Sequence, residues 1–112
     1  MEISSKQLWR VELIELSGRV DSKVGAPLLE KALKSLTDAG RFRLVVDMRN
    51  QEYISARGLR ALLATLKEVK RWNRGDLRLC NVPPRIQGVL DLAGLTPDFK
   101  IYAILAEAVE SF

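Results

Sequence analysis

The sequence predicts an α/β fold, because strand-like runs alternate with helix-like stripes along the chain. The strand-like runs are short and rich in β-branched and large apolar residues. The stripes between them carry leucines at steps of three and four residues, which is the spacing of one helix face. Read in order, the elements are β-β-α-β-α-β-α-β-α. Strands that alternate with helices form mainly parallel sheets with right-handed crossovers.

The amino-terminal half predicts strands on either side of one helix. The run LWRVELIELSG (8–18) alternates in part and predicts one or two strands with a turn near its front. A helical stripe follows, made of Leu28, Leu29, Ala32, Leu33 and Leu36. Asp21 and Ser22 are candidate N-caps of this helix, and Gly40 ends it. The run RFRLVVDM (41–48) has the length and apolarity of a buried central strand.

The carboxyl-terminal half predicts a long helix and two further strand–helix pairs. The apolar face of the long helix is Leu59, Leu62, Leu63, Leu66 and Val69. Gly75 ends this helix, and residues 76–82 alternate as a strand. Residues 83–95 then predict a helix, residues 99–104 a short strand and residues 105–112 a last helix. Trp9 and Trp72 are expected to be partly buried packing residues.

Length and composition predict one globular domain spanning residues 1–112. The chain has 112 residues, 47% of them hydrophobic and 29% charged, which is typical of a soluble protein with a single core. No apolar run approaches the roughly 20 residues that a membrane span needs, so no membrane insertion is expected. The amino terminus lacks a secretory pattern and Cys80 is the single cysteine, which together predict a cytoplasmic protein.

The sequence offers no constellation for catalysis. It has no histidine, and therefore lacks the commonest general base and metal ligand. Glycine-rich nucleotide fingerprints and the Gly-x-Ser-x-Gly elbow are also missing. Ser55 has only Arg57 and Arg60 as basic neighbours in sequence, and arginine does not deprotonate usefully. We therefore expect no enzyme activity, no catalytic residue, no metal and no cofactor.

The basic charge is modest and spread out. The net charge is +4 and the pI about 9.5. The densest basic run, residues 67–75, is interpreted as the solvated end of a helix, where cations also favour the helix dipole. No aromatic residues interleave with these cations in a pattern that suggests base stacking, so the sequence predicts no nucleic-acid partner.

The centre of the chain resembles a known family. Asp47 at a strand end is followed by YISARGL (53–59), which is similar to the aromatic-Ile-Ser-Ser-x-Gly-Leu turn of STAS domains in bacterial anti-sigma factor antagonists. Upstream, SGRVDS (17–22) resembles the family's Gly-x-Leu-Asp stretch. Downstream, VLDLAGL (89–95) resembles its Leu-x-Leu-x-Gly-Leu helix end. The resemblance runs from about Val11 to the carboxyl terminus.

This resemblance implies a fold and a function. The fold is a small STAS-like domain with a curved, mainly parallel sheet and helices packed mostly on one face. The function is transcription regulation by protein–protein binding: such antagonists bind an anti-sigma factor that is also a serine kinase, and so release the sigma factor. The kinase ends the interaction by phosphorylating one serine at the start of the second helix.

The acceptor position is where this chain departs from the family. Counting back from Gly58 places Ala56 at the acceptor, and alanine has no oxygen to phosphorylate. Ser55 precedes it, either as a helix N-cap or as a displaced phosphorylation site. The switch is therefore expected to be absent or moved.

The resemblance also suggests which residues meet the partner: Asp21, Tyr53, Ser55, Arg57, Gly58 and Arg60. Structural roles remain open for several of them. Asp21 can be a cap or turn residue, Gly58 can permit close packing, and Arg57 can simply face solvent. An alternative function is a regulatory subunit of a phospholipid or sulfate transporter, since STAS domains of that type often lack the acceptor serine.

Overall fold

The computed structural model describes residues 1–112, and its elements follow the predicted order. The strands are β1 (Glu2–Leu8), β2 (Val11–Val20), β3 (Arg43–Ile54), β4 (Asp76–Cys80) and β5 (Ile101–Tyr102). The helices are α1 (Gly25–Asp38), α2 (Ala56–Lys70), α3 (Pro84–Leu92) and α4 (Leu105–Glu110). Two short 3-10 turns lie at Arg71–Asn73 and Thr96–Asp98.

The five strands form one mixed sheet in the order β1-β2-β3-β4-β5. The hairpin strands β1 and β2 are antiparallel, and the other three pairs are parallel. The prediction of a mainly parallel sheet is therefore confirmed, with one antiparallel pair at its edge. The two-residue turn between β1 and β2 is short because antiparallel neighbours need no crossover.

Two apolar clusters cover the two faces of the sheet. The larger cluster joins the sheet to α1, α2 and α3, and the smaller one joins it to α4. In β3, Leu44 and Val46 belong to the larger cluster and Val45 to the smaller one. Successive side chains of a strand point to opposite faces, so this central strand has to be apolar on both. Most helices thus lie on one face, as expected.

The strand ends differ from the predicted ones. β1 begins at Glu2, ahead of the predicted run, and β3 continues to Ile54 instead of ending near Asp47. The polar residues that follow Met48 hide this continuation in the sequence. They are held in the sheet by pairing with β2, whose two register shifts carry the ladder as far as Val20 and Ile54.

The apolar face of α2 is turned slightly from the predicted one. Leu59, Leu62, Leu66 and Val69 are buried as expected. Leu63 is only half-buried and packs at the edge of the larger cluster, whereas the small Ala61 is buried. The helix also ends at Lys70, before the predicted stop at Gly75. Gly75 instead lets the chain pass Phe42, because a Cβ there would lie 1.9 Å from the Phe42 carbonyl oxygen.

The expectation that both tryptophans are partly buried packing residues is wrong. Trp9 is 60% exposed and Trp72 is 82% exposed. Each lies in a turn, Trp9 between β1 and β2 and Trp72 just after α2. The Trp9 ring borders a shallow cleft beside α4 that leaves most of the ring in solvent. None of the helices combines the length and the apolarity that crossing a bilayer requires.

Candidate partner-binding site

The candidate site forms where the parallel strands β2 and β3 end side by side. Val20 pairs with Ile54, and the Ser55 N–H donates to the Val20 carbonyl oxygen over 2.8 Å. The loop after β2 therefore lies against the first turn of α2. This carboxyl edge is where open α/β sheets usually bind their ligands. We call the surface formed by residues 21–24 and 53–60 the carboxyl-end pole.

Ser55 is the N-cap of α2. Its backbone is extended, its side chain is 4% exposed, and its Oγ accepts a hydrogen bond from the Gly58 N–H at 3.1 Å. The helix cap read from the sequence is thus present in the structure. Because this oxygen satisfies one of the unpaired N–H groups of the helix start, Ser55 already has a structural task.

Asp21 performs the corresponding task for α1. Its Oδ1 accepts hydrogen bonds from the Gly25 N–H at 2.5 Å and from the Val24 N–H at 3.1 Å. The hydrogen bond from Gly25, aided by that from Val24, holds the pKa of the Asp21 carboxyl below its ordinary value. The prediction that Asp21 or Ser22 is the N-cap is wrong, because the N-cap of α1 is Val24. The turn interpretation of Asp21 agrees with the geometry, since its carboxylate binds the first N–H groups of α1 from the preceding loop and stays ionised at neutral pH.

Arg57 is not free in solvent. Its guanidinium forms a two-point contact with Glu30 of α1, with Nη2–Oε1 at 2.8 Å and Nε–Oε2 at 3.3 Å. Its Nη1 also donates to the Ser22 carbonyl oxygen at 3.2 Å. The hydrogen bond with Glu30 raises the pKa of Arg57. Arg57 therefore joins α2, α1 and the loop after β2. Glu30 could not be linked to this site from the sequence, because only the tertiary fold brings it near.

Gly58 and Gly25 allow the two helix starts to approach the sheet. A Cβ on Gly58 would lie 2.8 Å from Cγ1 of Val20 and 2.9 Å from Cγ1 of Ile54. A Cβ on Gly25 would lie 2.7 Å from the Arg19 carbonyl oxygen, which is backbone and cannot move aside. Close packing of the helix start therefore explains why glycine occupies position 58, which was one of the two interpretations of this residue from the sequence.

Both segments of this pole contribute exposed side chains. Tyr53 is 39% exposed, and the Arg19 guanidinium lies 4.5 Å from the centre of its ring. Ala56 is exposed as the first residue of α2, and Arg60 is exposed one turn later without an ion pair. Lys23 and Val24 of the loop after β2 are exposed as well, and Lys23 also lacks an ion pair. The outer surface thus presents an aromatic ring, two small apolar side chains and two unpaired cations, Lys23 and Arg60.

A shallow groove between α1 and α2 continues this surface. Its volume is about 370 Å³, and Arg57, Arg60, Ala61 and Ala64 line it from α2 while Glu30 and Lys34 line it from α1. Small residues of α2 form its floor, and charged residues form its rim. Such a surface suits contact with another protein. No cluster of three or more histidine, cysteine or acidic side chains is placed to hold a metal ion.

Asp47 does not join the site. It lies on the sheet face that carries α4, because it follows Val45 by two residues, and its Oδ1 accepts from the Asn81 side chain at 3.1 Å. It pairs across the sheet with Cys80. Burial, reinforced by the Asp47 charge, raises the pKa of the Cys80 thiol to about 12, so this cysteine is unreactive at neutral pH.

Comparison with known proteins agrees with this geometry. The STAS domain family model matches residues 3–108. BtrV of Bordetella bronchiseptica, which is named as a candidate anti-sigma factor antagonist, is 34% identical over 86 residues, covering 77% of this chain and 72% of the relative. The crystal structure of an anti-sigma factor antagonist from Mycobacterium paratuberculosis superposes with a TM-score of 0.87 at 25% identity, over 98% of this chain and 92% of that one.

A sulfate transporter family protein from Wolinella succinogenes has the same fold at lower similarity. Its TM-score is 0.76 at 21% identity, over 93% of this chain and 85% of that one. Since the family model spans nearly the whole chain, the chain belongs to the STAS domain family, and its relatives there include anti-sigma factor antagonists.

Proposed function

We propose that this protein is an anti-sigma factor antagonist that regulates transcription by binding an anti-sigma factor in the cytoplasm, and that it acts without catalysis. The relatives named as antagonists support the class of function. The observation that carries the proposal is the start of α2, where exposed Ala56 lies between Ser55 and Arg57, both already bound within the protein. The sequence resemblance assigns Ala56 to the family's acceptor position.

The proposed contact surface is the carboxyl-end pole together with the groove between α1 and α2. Its internal hydrogen bonds hold the helix starts in place before a partner arrives, so little ordering is needed on binding. Tyr53 and the small residues of α2 provide apolar contact area. Arg60 and the exposed Lys23 provide cations, which suit an acidic patch on the partner and would speed association.

The partner we propose is an anti-sigma factor of the serine-kinase type. In this pairing the protein would not be switched off at position 56, because alanine accepts no phosphate. Ser55 is a poor substitute acceptor, since its oxygen is buried and bound to the Gly58 N–H. We therefore propose a binder that stays active where a serine-bearing antagonist would be inactivated.

The binding proposal is tested by titrating the purified chain into a serine-kinase anti-sigma factor from the same organism. Arg60→Glu should slow association and weaken binding, because Arg60 forms no ion pair within the protein. Lys31→Glu is the matched control: Lys31 is exposed on α1, also lacks an ion pair, and gives the same charge change. Absence of binding by the wild type, or equal losses in both variants, would refute the proposed surface.

The switch proposal is tested separately by incubating the chain with that kinase and ATP, then measuring intact mass. Wild type and Ser55→Ala should gain no phosphate, and Ala56→Ser should gain one. A phosphate on the wild type that disappears in Ser55→Ala would make Ser55 a displaced acceptor. That outcome would refute the constant-binding proposal while leaving the antagonist class intact.

The transporter-subunit alternative has less support. The likeness to the sulfate transporter family protein is one of fold, and Ala56 is compatible with it. It would be favoured if the chain bound a transporter component and no anti-sigma factor.

A further inference from the structure

An open basic groove lies at the amino ends of the parallel strands, opposite the carboxyl-end pole. Its volume is about 260 Å³, and its charged lining residues are Arg10, Arg41, Arg43, Arg74 and Glu12. These residues either precede or open strands β2, β3 and β4. We call this groove, together with the turns at 9–10 and 71–74, the amino-end pole.

Two of the four arginines have no charged partner in the protein. Arg41 pairs with Glu12 at 3.6 Å, and Arg74 pairs with Glu68 at 3.0 Å. Arg10 and Arg43 form neither an ion pair nor a side-chain hydrogen bond. Unpaired guanidinium groups beside a groove attract anions and match the geometry of phosphate oxygens.

Exposed aromatic rings alternate with these cations. The Arg10 guanidinium lies 5.1 Å from the Trp9 ring centre, and that of Arg74 lies 5.8 Å from Trp72 and 4.2 Å from Phe42. Trp72 projects largely into solvent, whereas Trp9 is 60% exposed and also borders a shallow apolar cleft beside Leu105 and Val109 of α4. The two kinds of group that bind single-stranded nucleic acid, a basic groove and open aromatic faces, therefore occur together.

The backbone conformation at both tryptophans is one that tryptophan does not favour, so turn geometry does not explain the choice of this residue. Each has φ of 57°, in the left-handed region that bulky residues rarely adopt. Glycine or asparagine would fit such positions with less strain. Since Trp72 is 82% exposed, its ring contributes little packing, and the fold gains little from tryptophan at that place. Strained residues of this kind are concentrated at functional sites.

We propose that the amino-end pole binds single-stranded nucleic acid, with Arg10 and Arg43 on the phosphates and the Trp9 and Trp72 rings against bases. A nucleic acid carries a planar base beside every phosphate, whereas an acidic peptide would need particular aromatic residues to match two open indoles. The sequence-based expectation of no nucleic-acid partner is thereby revised. That expectation rested on the spread of the charge along the chain and on the lack of an interleaved aromatic pattern, whereas the fold brings arginines from three strand starts together beside exposed rings.

This chain permits a direct test, because its two tryptophans are both at this pole and fluorescence excited selectively at tryptophan, without exciting Tyr53 and Tyr102, reports only on it. An oligothymidylate of about 12 nucleotides should quench this fluorescence saturably at about 50 mM salt. The logarithm of the affinity should fall as the logarithm of the salt concentration rises. Arg10→Glu with Arg43→Glu should lower the affinity at least tenfold and reduce the salt slope by about 1.4.

Two further variants separate this site from charge alone. Lys31→Glu with Arg85→Glu changes the net charge equally at exposed positions away from the pole, and should leave the affinity unchanged. Trp72→Ala, followed by anisotropy of a dye-labelled oligonucleotide, should weaken binding at least fivefold through lost stacking. Far-ultraviolet circular dichroism checks that each variant is folded.

Several results would overturn the proposal. The first is no binding at low salt, and the second is an equal loss in the control pair. The third is inorganic polyphosphate binding as tightly as the oligonucleotide while Trp72→Ala has no effect. The last is quenching by phosphatidylserine vesicles without quenching by the oligonucleotide, which would make this pole a lipid-binding surface.

Discussion

The two poles of the sheet use their polar groups in opposite ways. At the carboxyl-end pole, Asp21, Ser55 and Arg57 are occupied by helix N–H groups or by Glu30. At the amino-end pole, Arg10 and Arg43 lack partners and two tryptophans stand in strained turns. The groups that hold the helix starts at the first surface are therefore occupied by internal contacts, and its spare cations, Lys23 and Arg60, lie outside that network. At the second surface, the unpaired Arg10 lies directly beside the exposed indole ring of Trp9. Both poles rest on the same apolar core. A substitution therefore tests one pole alone only if it leaves the core residues unchanged.

The largest effect should come from the core that both poles share. Leu62 is fully buried, and Leu62→Ala should cost about 2–5 kcal/mol through lost contacts and the cavity left behind. Leu63→Ala, next to it on a half-buried position, should cost clearly less. Urea denaturation followed by circular dichroism measures both. Equal losses would show that the face of α2 is assigned wrongly.

A glycine at each pole should show the next largest effect. Gly75→Ala places a Cβ against the Phe42 carbonyl oxygen, and Gly25→Ala places one against Arg19 backbone. Each should cost about 1–3 kcal/mol or more, because backbone has to shift. Gly88→Ala is the control. Gly88 is inside α3 with no atom within 4 Å of an added Cβ, so alanine should stabilise by about 0.5–1 kcal/mol. Thermal unfolding midpoints measure these effects. Equal midpoints for Gly75→Ala and Gly88→Ala would contradict this account.

The helix cap at the carboxyl-end pole sets a smaller effect. Ser55→Ala should cost about 0.5–2 kcal/mol, since the Gly58 N–H loses its acceptor. Ser55→Asp should recover most of this, because aspartate also caps and its charge suits a helix N-terminus. Chemical denaturation of wild type, Ser55→Ala and Ser55→Asp measures their free energies of unfolding. An unchanged stability in Ser55→Ala would mean that the cap contributes nothing.

Asp21 should give the smallest effect, visible as a pH dependence. Its pKa is lower in the folded protein than in the unfolded chain, because helix N–H groups bind the ionised form. The stabilisation is therefore present above the unfolded-state pKa and is lost as the pH falls through the lower folded-state value. Asp21→Asn should lose stability at neutral pH, and its difference from wild type should shrink in acid. A difference that stays constant with pH would exclude this role.

The sequence predicted the element order and the family because those depend on local patterns. Leucine spacing, glycine stops and the YISARGL turn are all read within a few residues. The end of β3 was missed because polar residues are held there by β2 and not by their own preferences. The Arg57–Glu30 contact joins residues 27 apart in sequence, and no local pattern predicts it. The exposure of Trp9 and Trp72 likewise depends on the positions of neighbouring elements in the fold, which local sequence does not reveal.

The most direct test of the central claim is a charge placed at position 56. Ala56→Asp puts a carboxylate on the exposed first residue of α2, where the helix dipole favours it, so the fold should be unharmed. Ser4→Asp adds the same charge on exposed β1 as a control. Calorimetric titration into the serine-kinase anti-sigma factor should show at least tenfold weaker binding for Ala56→Asp, about 1.4 kcal/mol, and wild-type affinity for Ser4→Asp. Undiminished affinity in Ala56→Asp would contradict the claim that the start of α2 meets the partner.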